Sequence, residues 1–255
     1  MPLNHLPMRA AYFSSPGPCR SKNEDGLYLG EIIVDRDMLA PEFGEIQSRA
    51  LVAVADGLGG GPGGREAAFI VLTKLSELAL LPFSFDAQNL VAQNLKNAAL
   101  ALSMVAKRNP DLKQMGSALA GLWFEGERAL AFNCGDCRVY RIRAGFFELL
   151  TQDHSLVYEL YAHGQIAEEA MAEHPLKNIL TSSIQDGSEE PRIFFQEFAF
   201  SQGDAFLLCS DGVWEAASRT ELENLAAESQ PEAARQLARA LSKKALDNIS
   251  FIWLY

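Results

Sequence analysis

The chain lacks the features of a membrane-spanning or exported protein. None of its apolar runs approaches the ~20 residues that a helix needs to cross a bilayer. The first five residues have neither the charged start nor the apolar core of a signal peptide. Cysteine is scarce, with 4 in 255 residues, and the one C-x-x-C pair, Cys134 and Cys137, has no second pair to complete a zinc site. We therefore expect a cytoplasmic protein whose cysteines are small core residues.

Positive charge is also scarce. Lysine and arginine together number 22, against 33 aspartates and glutamates, which gives a net charge of -11. This surplus of negative charge argues against a nucleic-acid partner or an anionic membrane surface. An anionic substrate would have to be attracted by local positive charge or by a metal ion. Hydrophobic residues make up 48% of the chain, which is enough for a substantial core.

Several signatures of hydrolases are missing as well. The sequence has no Cys-x5-Arg, no G-x-S-x-G, no H-E-x-x-H and no Walker loop. These absences leave the chain without a recognisable covalent nucleophile.

Aspartates at the edges of apolar runs are the most informative feature that is present. They occur in Asn23-Glu24-Asp25, Asp56-Gly57, Ser210-Asp211-Gly212 and Asp247-Asn248. A single Asp-Gly usually marks a turn, but a carboxylate at the end of a core strand is costly unless something compensates it. Several such ends in one place indicate a hard divalent cation with oxygen ligands. Spacing alone leaves a metal-dependent phosphatase, a nuclease and a binding-only site all open.

The hydrophobic patterns predict an α+β protein with a single domain over residues 1–255. Predicted strands cover 8–14, 26–34, a run ending at 55, 117–124, 129–134, 138–143, 146–150, 193–198, 205–209 and 249–254. Predicted helices cover 66–81, 86–107, 155–173, 220–227 and 232–245, with a loop around Pro41 and Gly44.

Seven short motifs in order resemble the metal-dependent serine/threonine protein phosphatases of the 2C type, the PPM family, in their compact bacterial form. The motifs are Arg20-Ser21-Lys22-Asn23-Glu24-Asp25, Asp56-Gly57-Leu58-Gly59-Gly60, Gly135-Asp136-Cys137-Arg138-Val139-Tyr140, Leu150-Thr151-Gln152-Asp153-His154-Ser155, His174-Pro175 with Asn178-Ile179-Leu180-Thr181, Ser210-Asp211-Gly212 and Asp247-Asn248-Ile249-Ser250. The resemblance implies a four-layer α-β-β-α sandwich, in which a central antiparallel β-sandwich is flanked by helix pairs.

The resemblance also implies a role for each site residue. Two Mn²⁺ or Mg²⁺ ions would be held by Asp25, Asp56, the Gly57 carbonyl, Asp211 and Asp247. A water bridging the two ions would attack phosphoserine or phosphothreonine. Asp136 would help to hold a third, weaker ion, Glu24 would orient water from outside the ligand set, and Arg20 would grip the substrate phosphate.

We expect such a protein to be a monomer acting on phosphoproteins that a serine/threonine kinase has modified, with a flap at about 156–190. The alternative is a catalytically weak relative that binds phosphoproteins as a regulatory module. A nuclease fits the acidic chain poorly.

Five positions depart from the family's pattern. Ser117-Ala118 replaces a pair of threonines, Leu58 and Gly61 stand where eukaryotic and bacterial members carry histidine, Arg65 replaces a glutamate, and Ser182-Ser183 replaces an arginine. With Leu58 at its position, no side chain can be named as the general acid. Arg65 either favours an acidic or multiply phosphorylated substrate or is a solvated residue at a helix start.

Overall fold

A computed structural model describes residues 7–58, 63–84, 86–167, 170–171, 173–187, 190–199, 201, 203–228 and 230–255. Within these ranges, no helix combines the length and the apolar character that a membrane crossing requires.

Two antiparallel sheets form the centre of the molecule. In chain order the strands are β1 (Met8–Ser15), β2 (Gly26–Leu29), β3 (Ile33–Val34), β4 (Glu42–Ile46), β5 (Arg49–Leu58), β6 (Gly116–Glu125), β7 (Arg128–Cys134), β8 (Arg138–Arg143), β9 (Phe146–Leu149), β10 (Ile184–Gln185), β11 (Phe194–Ala199), β12 (Ala205–Cys209) and β13 (Ile249–Leu254). The first sheet has the order β4-β1-β13-β12-β8-β9, and the second has the order β11-β7-β6-β5-β2-β3 with β10 added beside β6.

The helices of the described residues are numbered in chain order as well. They are α1 (Gly63–Ser76), α2 (Ala87–Arg108), α3 (Leu156–Ala162), α4 (Asp211–Trp214), α5 (Arg219–Ala226) and α6 (Gln230–Lys244). Helices α1 and α2 pack together over the second sheet, and α5 and α6 pack together over the first. This is the α-β-β-α sandwich that the resemblance implied.

Strand β5 shows why its residues are apolar on both faces. Val52 and Val54 belong to the core between the two sheets, whereas Leu51 and Ala53 belong to the core under α1 and α2. Successive side chains of a strand point to opposite faces, so both faces of β5 are covered. The same holds for β13, all of whose residues are buried. Strand ends in such a sheet meet solvent only at the edge of the sandwich, which is where the site lies.

Some of the predicted elements are wrong in extent. The strand predicted over 26–34 is divided into β2 and β3, because Gly30 adopts a positive φ of 76° between them. The predicted loop around Pro41 and Gly44 contains β4, an edge strand that is mostly exposed and therefore shows little hydrophobic alternation. The helix predicted over 155–173 ends at Ala162, since Gly164 follows with φ 68°. Residues 168–169 and 172 of that prediction lie outside the described residues.

Candidate active site

All the predicted site residues except Asp25 line a cleft of about 410 Å³ at one edge of the sandwich. Its lining includes Arg20, Glu24, Asp56, Gly57, Asp136, Asp211 and Asp247. These residues come from the β1–β2 loop, the end of β5, the β7–β8 turn, the start of α4 and the residues before β13. Parts of the chain more than two hundred residues apart therefore supply one concave, acidic site.

Asp25 lies beneath the cleft and is 2% exposed. The Ser210 hydroxyl donates to its Oδ2 at 2.9 Å, whereas its buried Oδ1 has no hydrogen-bond partner in the described residues. Burial raises the pKa of Asp25 to about 7, and the charge of Asp247 adds to the rise against hydrogen bonds from Ser250 and Ser210. A buried carboxylate with one unpartnered oxygen is a group that a cation would stabilise.

Asp56 and Gly57 are the third-last and second-last residues of β5, where this strand pairs with β6. Burial raises the pKa of Asp56 well above its ordinary value, and the charge of Asp25 is the next largest cause. Gly57 tolerates no side chain, because a Cβ there would lie 2.2 Å from the Gly64 carbonyl oxygen and 2.6 Å from that of Glu24. The glycine thus lets β5, α1 and the β1–β2 loop come together beside the carboxylates.

Asp211 begins α4, directly after the buried strand β12. Burial raises the pKa of its carboxyl well above the ordinary value, and the charges of Asp136 and Asp247 raise it further. The pKa of Asp136 is raised to about 7, mainly by burial and next by the charge of Asp153. The negative charges of these carboxylates therefore repel one another, and each makes ionisation of the others more costly.

The backbone of Asp136 is held by a buried network. The Trp214 indole donates to the Asp136 carbonyl oxygen at 2.9 Å, and the Arg138 guanidinium lies 3.7 Å from the Trp214 ring centroid. Arg138 also binds Asp153 at 2.6 Å, and His154 Nδ1 accepts a hydrogen bond from the Gly135 N–H at 3.2 Å. Two of the family-like motifs, around residues 135–140 and 150–155, thus serve to position Asp136 and α4.

Arg20 reaches across the mouth of the cleft to Asp247. Its Nη2 donates to Asp247 Oδ2 at 2.5 Å, and the arginine side chain remains 53% exposed. The guanidinium has further N–H groups, which can bind the oxygens of an incoming anion. The ion pair with Asp247 places the positively charged guanidinium of Arg20 at the rim of an acidic cleft.

Asn248 is a site residue that the sequence reasoning did not single out. Its side-chain carbonyl accepts from the Glu24 N–H at 2.9 Å, and its amide donates to the carbonyl oxygens of Lys22, at 2.9 Å, and Pro16, at 3.2 Å. One buried amide therefore fixes the loop that carries Arg20 and Glu24 to the start of β13. The available signal was its place between Asp247 and a fully buried strand, where a polar side chain needs hydrogen-bond partners.

Ser210 was likewise missed as a functional residue, although it stands beside Asp211 in the motif. Besides binding Asp25, its hydroxyl accepts from the Ser250 N–H at 3.2 Å. Ser14 continues this buried network, since its hydroxyl lies 2.8 Å from that of Ser250 and accepts from Asn23 Nδ2 at 2.8 Å.

The residues that depart from the family pattern lie in different parts of the structure. Leu58 lines the cleft, and no histidine is found among the described lining residues. Arg65 donates to the Asp35 carbonyl and lies 3.7 Å from the Asp35 carboxylate, outside the described lining, so the structure favours its reading as a solvated residue. Gly61 lies outside the described residues. Arg192 supports the Ser182 region, because its Nη2 donates to the Thr181 carbonyl at 2.6 Å.

The donor set fits a hard divalent cation by charge and by chemistry. It consists of carboxylate and backbone oxygens, one of them unpartnered, and hard cations prefer such ligands. In the described residues, no group of three Asp, Glu, His or Cys side chains forms a finished ligand cluster. The fit to Mn²⁺ or Mg²⁺ therefore rests on donor type, burial and mutual repulsion, and not on a preformed coordination geometry.

The comparisons with known proteins identify the family. The protein phosphatase 2C pattern matches residues 33–249. The chain belongs to the protein phosphatase 2C family. The serine/threonine phosphatase stp of Listeria monocytogenes is 30% identical to this family member over 223 residues, which cover 86% of this chain and 82% of that protein.

Mycobacterial PstP is similar in both sequence and structure. The serine/threonine protein phosphatase PstP of Mycobacterium tuberculosis is 29% identical over 249 residues, 97% of this chain, yet the chain spans only 45% of that protein's length. The crystal structure of the M. tuberculosis phosphatase superposes with a TM-score of 0.82, at 27% identity and 98% coverage of both chains. A PstP catalytic domain in complex with two manganese ions gives a TM-score of 0.80, at 25% identity and 98% coverage of both chains.

Proposed function

We propose that this chain is a metal-dependent phosphoprotein phosphatase that removes phosphate from phosphoserine and phosphothreonine. The observation that carries the proposal is the meeting of Asp56, Asp211 and Asp247 with Arg20 in one cleft, with the buried Asp25 close enough for its charge to act on Asp56. Membership of the protein phosphatase 2C family and the two manganese ions bound by a related catalytic domain support it. Its substrates would be proteins modified by a serine/threonine kinase.

In this proposal the cleft carboxylates, Asp25 and the Gly57 carbonyl would hold two divalent cations, Mn²⁺ or Mg²⁺, and Asp136 would help to hold a third, weaker one. When bound, the two main ions would neutralise the carboxylates and activate a bridging water for in-line attack on phosphorus. The chain's own residues do the rest. Asn248 fixes the loop so that Arg20 faces the cleft, and the N–H groups of Arg20 that do not bind Asp247 would bind the phosphate oxygens and stabilise their charge.

Segment 156–190 would act as the flap beside this site. Two backbone hydrogen bonds join the start of this segment to residues 179–181. The Leu156 N–H donates to the Ile179 carbonyl at 2.8 Å, and the Thr181 N–H donates to the His154 carbonyl at 2.8 Å. Asn178 and Leu180 from this segment line the cleft. The flap therefore supplies a wall that a bound phosphoprotein would touch.

The test is phosphate release from phosphoserine, phosphothreonine and phosphotyrosine peptides, with Mn²⁺ and with EDTA. We expect Mn²⁺-dependent release from the serine and threonine peptides, abolished by EDTA and by Asp211→Asn. Asp37→Asn, on an exposed carboxylate, is the matched control and should leave release unchanged. A folded protein that binds Mn²⁺ but releases no phosphate from any peptide would replace the proposal with the regulatory binding module. Full activity in EDTA would contradict the metal requirement.

A further inference from the structure

An ion pair links the proposed flap to the helix that carries Asp211. Lys177 Nζ binds Glu215 Oε2, and the two side chains are only 22% and 13% exposed. Most of the other ion pairs in the described residues have at least one partner that is about two-fifths exposed or more, for example Lys244 with Glu221. Because water screens the Lys177–Glu215 pair less, it is the stronger candidate for a functional contact.

Glu215 lies one helical turn after Asp211. Its N–H donates to the Asp211 carbonyl at 2.9 Å, and residues four apart in a helical turn share one face. Burial and the charges of other carboxylates raise the pKa of Asp211 and of Asp136, and the charge of Glu215 raises both pKa values further. The carboxylate of Glu215 thus stands behind the acidic side of the cleft, although it does not line it among the described residues.

Lys177 belongs to the turn that forms one wall of the cleft. Its N–H donates to the His174 carbonyl at 3.1 Å, and the residues beside it, Asn178 and Leu180, both line the cleft. Lys177 is not among the described lining residues, and its side chain binds Glu215 at the end of α4. A break in the ion pair would therefore release the wall and change the charge next to Asp211 at the same time.

We propose that Lys177 and Glu215 are positioning residues that dock the Asn178–Leu180 wall on α4 and set how strongly the neighbouring carboxylates attract a divalent cation. The inference rests on the proposed function, because it concerns the same cleft. It assigns two separate roles to this pair: the ion pair holds the wall in place, and the two charges act on the cation affinity of the carboxylates.

The two roles make separate predictions for the wall and for cation binding. Loss of either partner removes the link, so Lys177→Met and Glu215→Gln should both loosen the wall. Their effects on cation binding should be opposite, since the first removes a positive charge near the site and the second removes a negative one. We expect Mn²⁺ to bind about threefold more tightly to Lys177→Met and about fivefold more weakly to Glu215→Gln, as befits charges that act across partly screened protein.

The experiment measures Mn²⁺ affinity by calorimetry and backbone hydrogen exchange over residues 174–181 in the same proteins. Lys177→Arg keeps the charge and should preserve both the exchange rates and the affinity. The reversed pair, Lys177→Glu with Glu215→Lys, should restore slow exchange to the wall. Lys244→Met is the matched control, because it breaks an ion pair with Glu221 between α5 and α6 and should change neither readout.

Two results would overturn the inference. Wild-type exchange rates over 174–181 in both Lys177→Met and Glu215→Gln would show that the pair does not dock the wall. Shifts of Mn²⁺ affinity in the same direction in both variants, or none in either, would show that the pair does not set the charge at the carboxylates. Neither readout needs turnover, so a protein that releases no phosphate would refute the proposed function while this inference could still be upheld or rejected.

Discussion

Gly212 is the position where the smallest substitution should do the most damage to the site. A Cβ added at Gly212 would lie 2.0 Å from the carbonyl oxygen of Asn248. That oxygen belongs to the backbone between Asp247 and β13, so no side-chain rotation can relieve the contact. Gly212→Ala must therefore push α4 and the start of β13 apart, and with them Asp211 and Asp247.

The size of the effect follows from the overlap. An ordinary contact needs at least 3.4 Å, so the two backbones must separate by more than an ångström. Overpacking of this kind costs about 1–3 kcal/mol, and a clash with backbone belongs at the upper end. A loss of ~3 kcal/mol should lower the melting temperature by about 6–12 °C in a chain of this size. Displacing a reacting group by ~1 Å can reduce the rate about 100-fold.

The assay pairs thermal unfolding with phosphate release in Mn²⁺. Gly44→Ala is the control, because its Cβ would meet only Tyr12 at 3.8 Å, an ordinary contact on an edge strand. We expect Gly44→Ala to match the wild type in both measurements. If Gly212→Ala kept the wild-type melting temperature and rate, the close approach of α4 to β13 would not be what positions Asp211 and Asp247.

Three further predictions concern the same region. Asn248→Ala should lose hydrogen bonds to three backbone groups and lower the free energy of unfolding in urea by about 3 kcal/mol. It should also raise KM for phosphopeptides, because the loop that carries Arg20 is no longer held. An unchanged KM would contradict this role. In EDTA, the pKa values of Asp25 and Asp136 are raised to about 7 each, so the folded state keeps protons that the unfolded chain loses above pH ~4. The melting temperature should therefore fall as the pH rises from about 4 to 7. Saturating Mn²⁺ should weaken this dependence. Of the four free thiols, only Cys19 should react quickly with Ellman's reagent in the native protein, because the others are buried; fast reaction of a second thiol would refute this.

The sequence was enough to predict the layers of the fold and most of the charged residues that meet in the cleft. Strands such as β5 and β13 are apolar on both faces because both faces are covered, and a carboxylate at the end of such a strand points to a functional reason. Asp56, Asp211 and Asp247 were found in this way, and the structure brings them to one cleft.

The remaining features depend on tertiary contacts that leave little trace in local patterns. Asn248 contacts backbone more than two hundred residues away, so its role appears only when the loop and β13 are side by side. The Lys177–Glu215 pair joins two segments whose hydrophobic patterns do not indicate that they meet. Strand β4 is an exposed edge whose pairing with β1 supplies order that its own residues do not signal. The end of α3 was readable in principle, since Gly164 was present in the sequence.

The central claim is that the cleft carboxylates hold the divalent cations. The most direct measurement is an anomalous difference map, recorded at the manganese edge from crystals grown with Mn²⁺. The account predicts two strong peaks in the cleft among Asp25, Asp56, Asp211 and Asp247, and their loss in Asp211→Asn. A map with no manganese in this cleft, or with manganese bound only elsewhere on the chain, would contradict it.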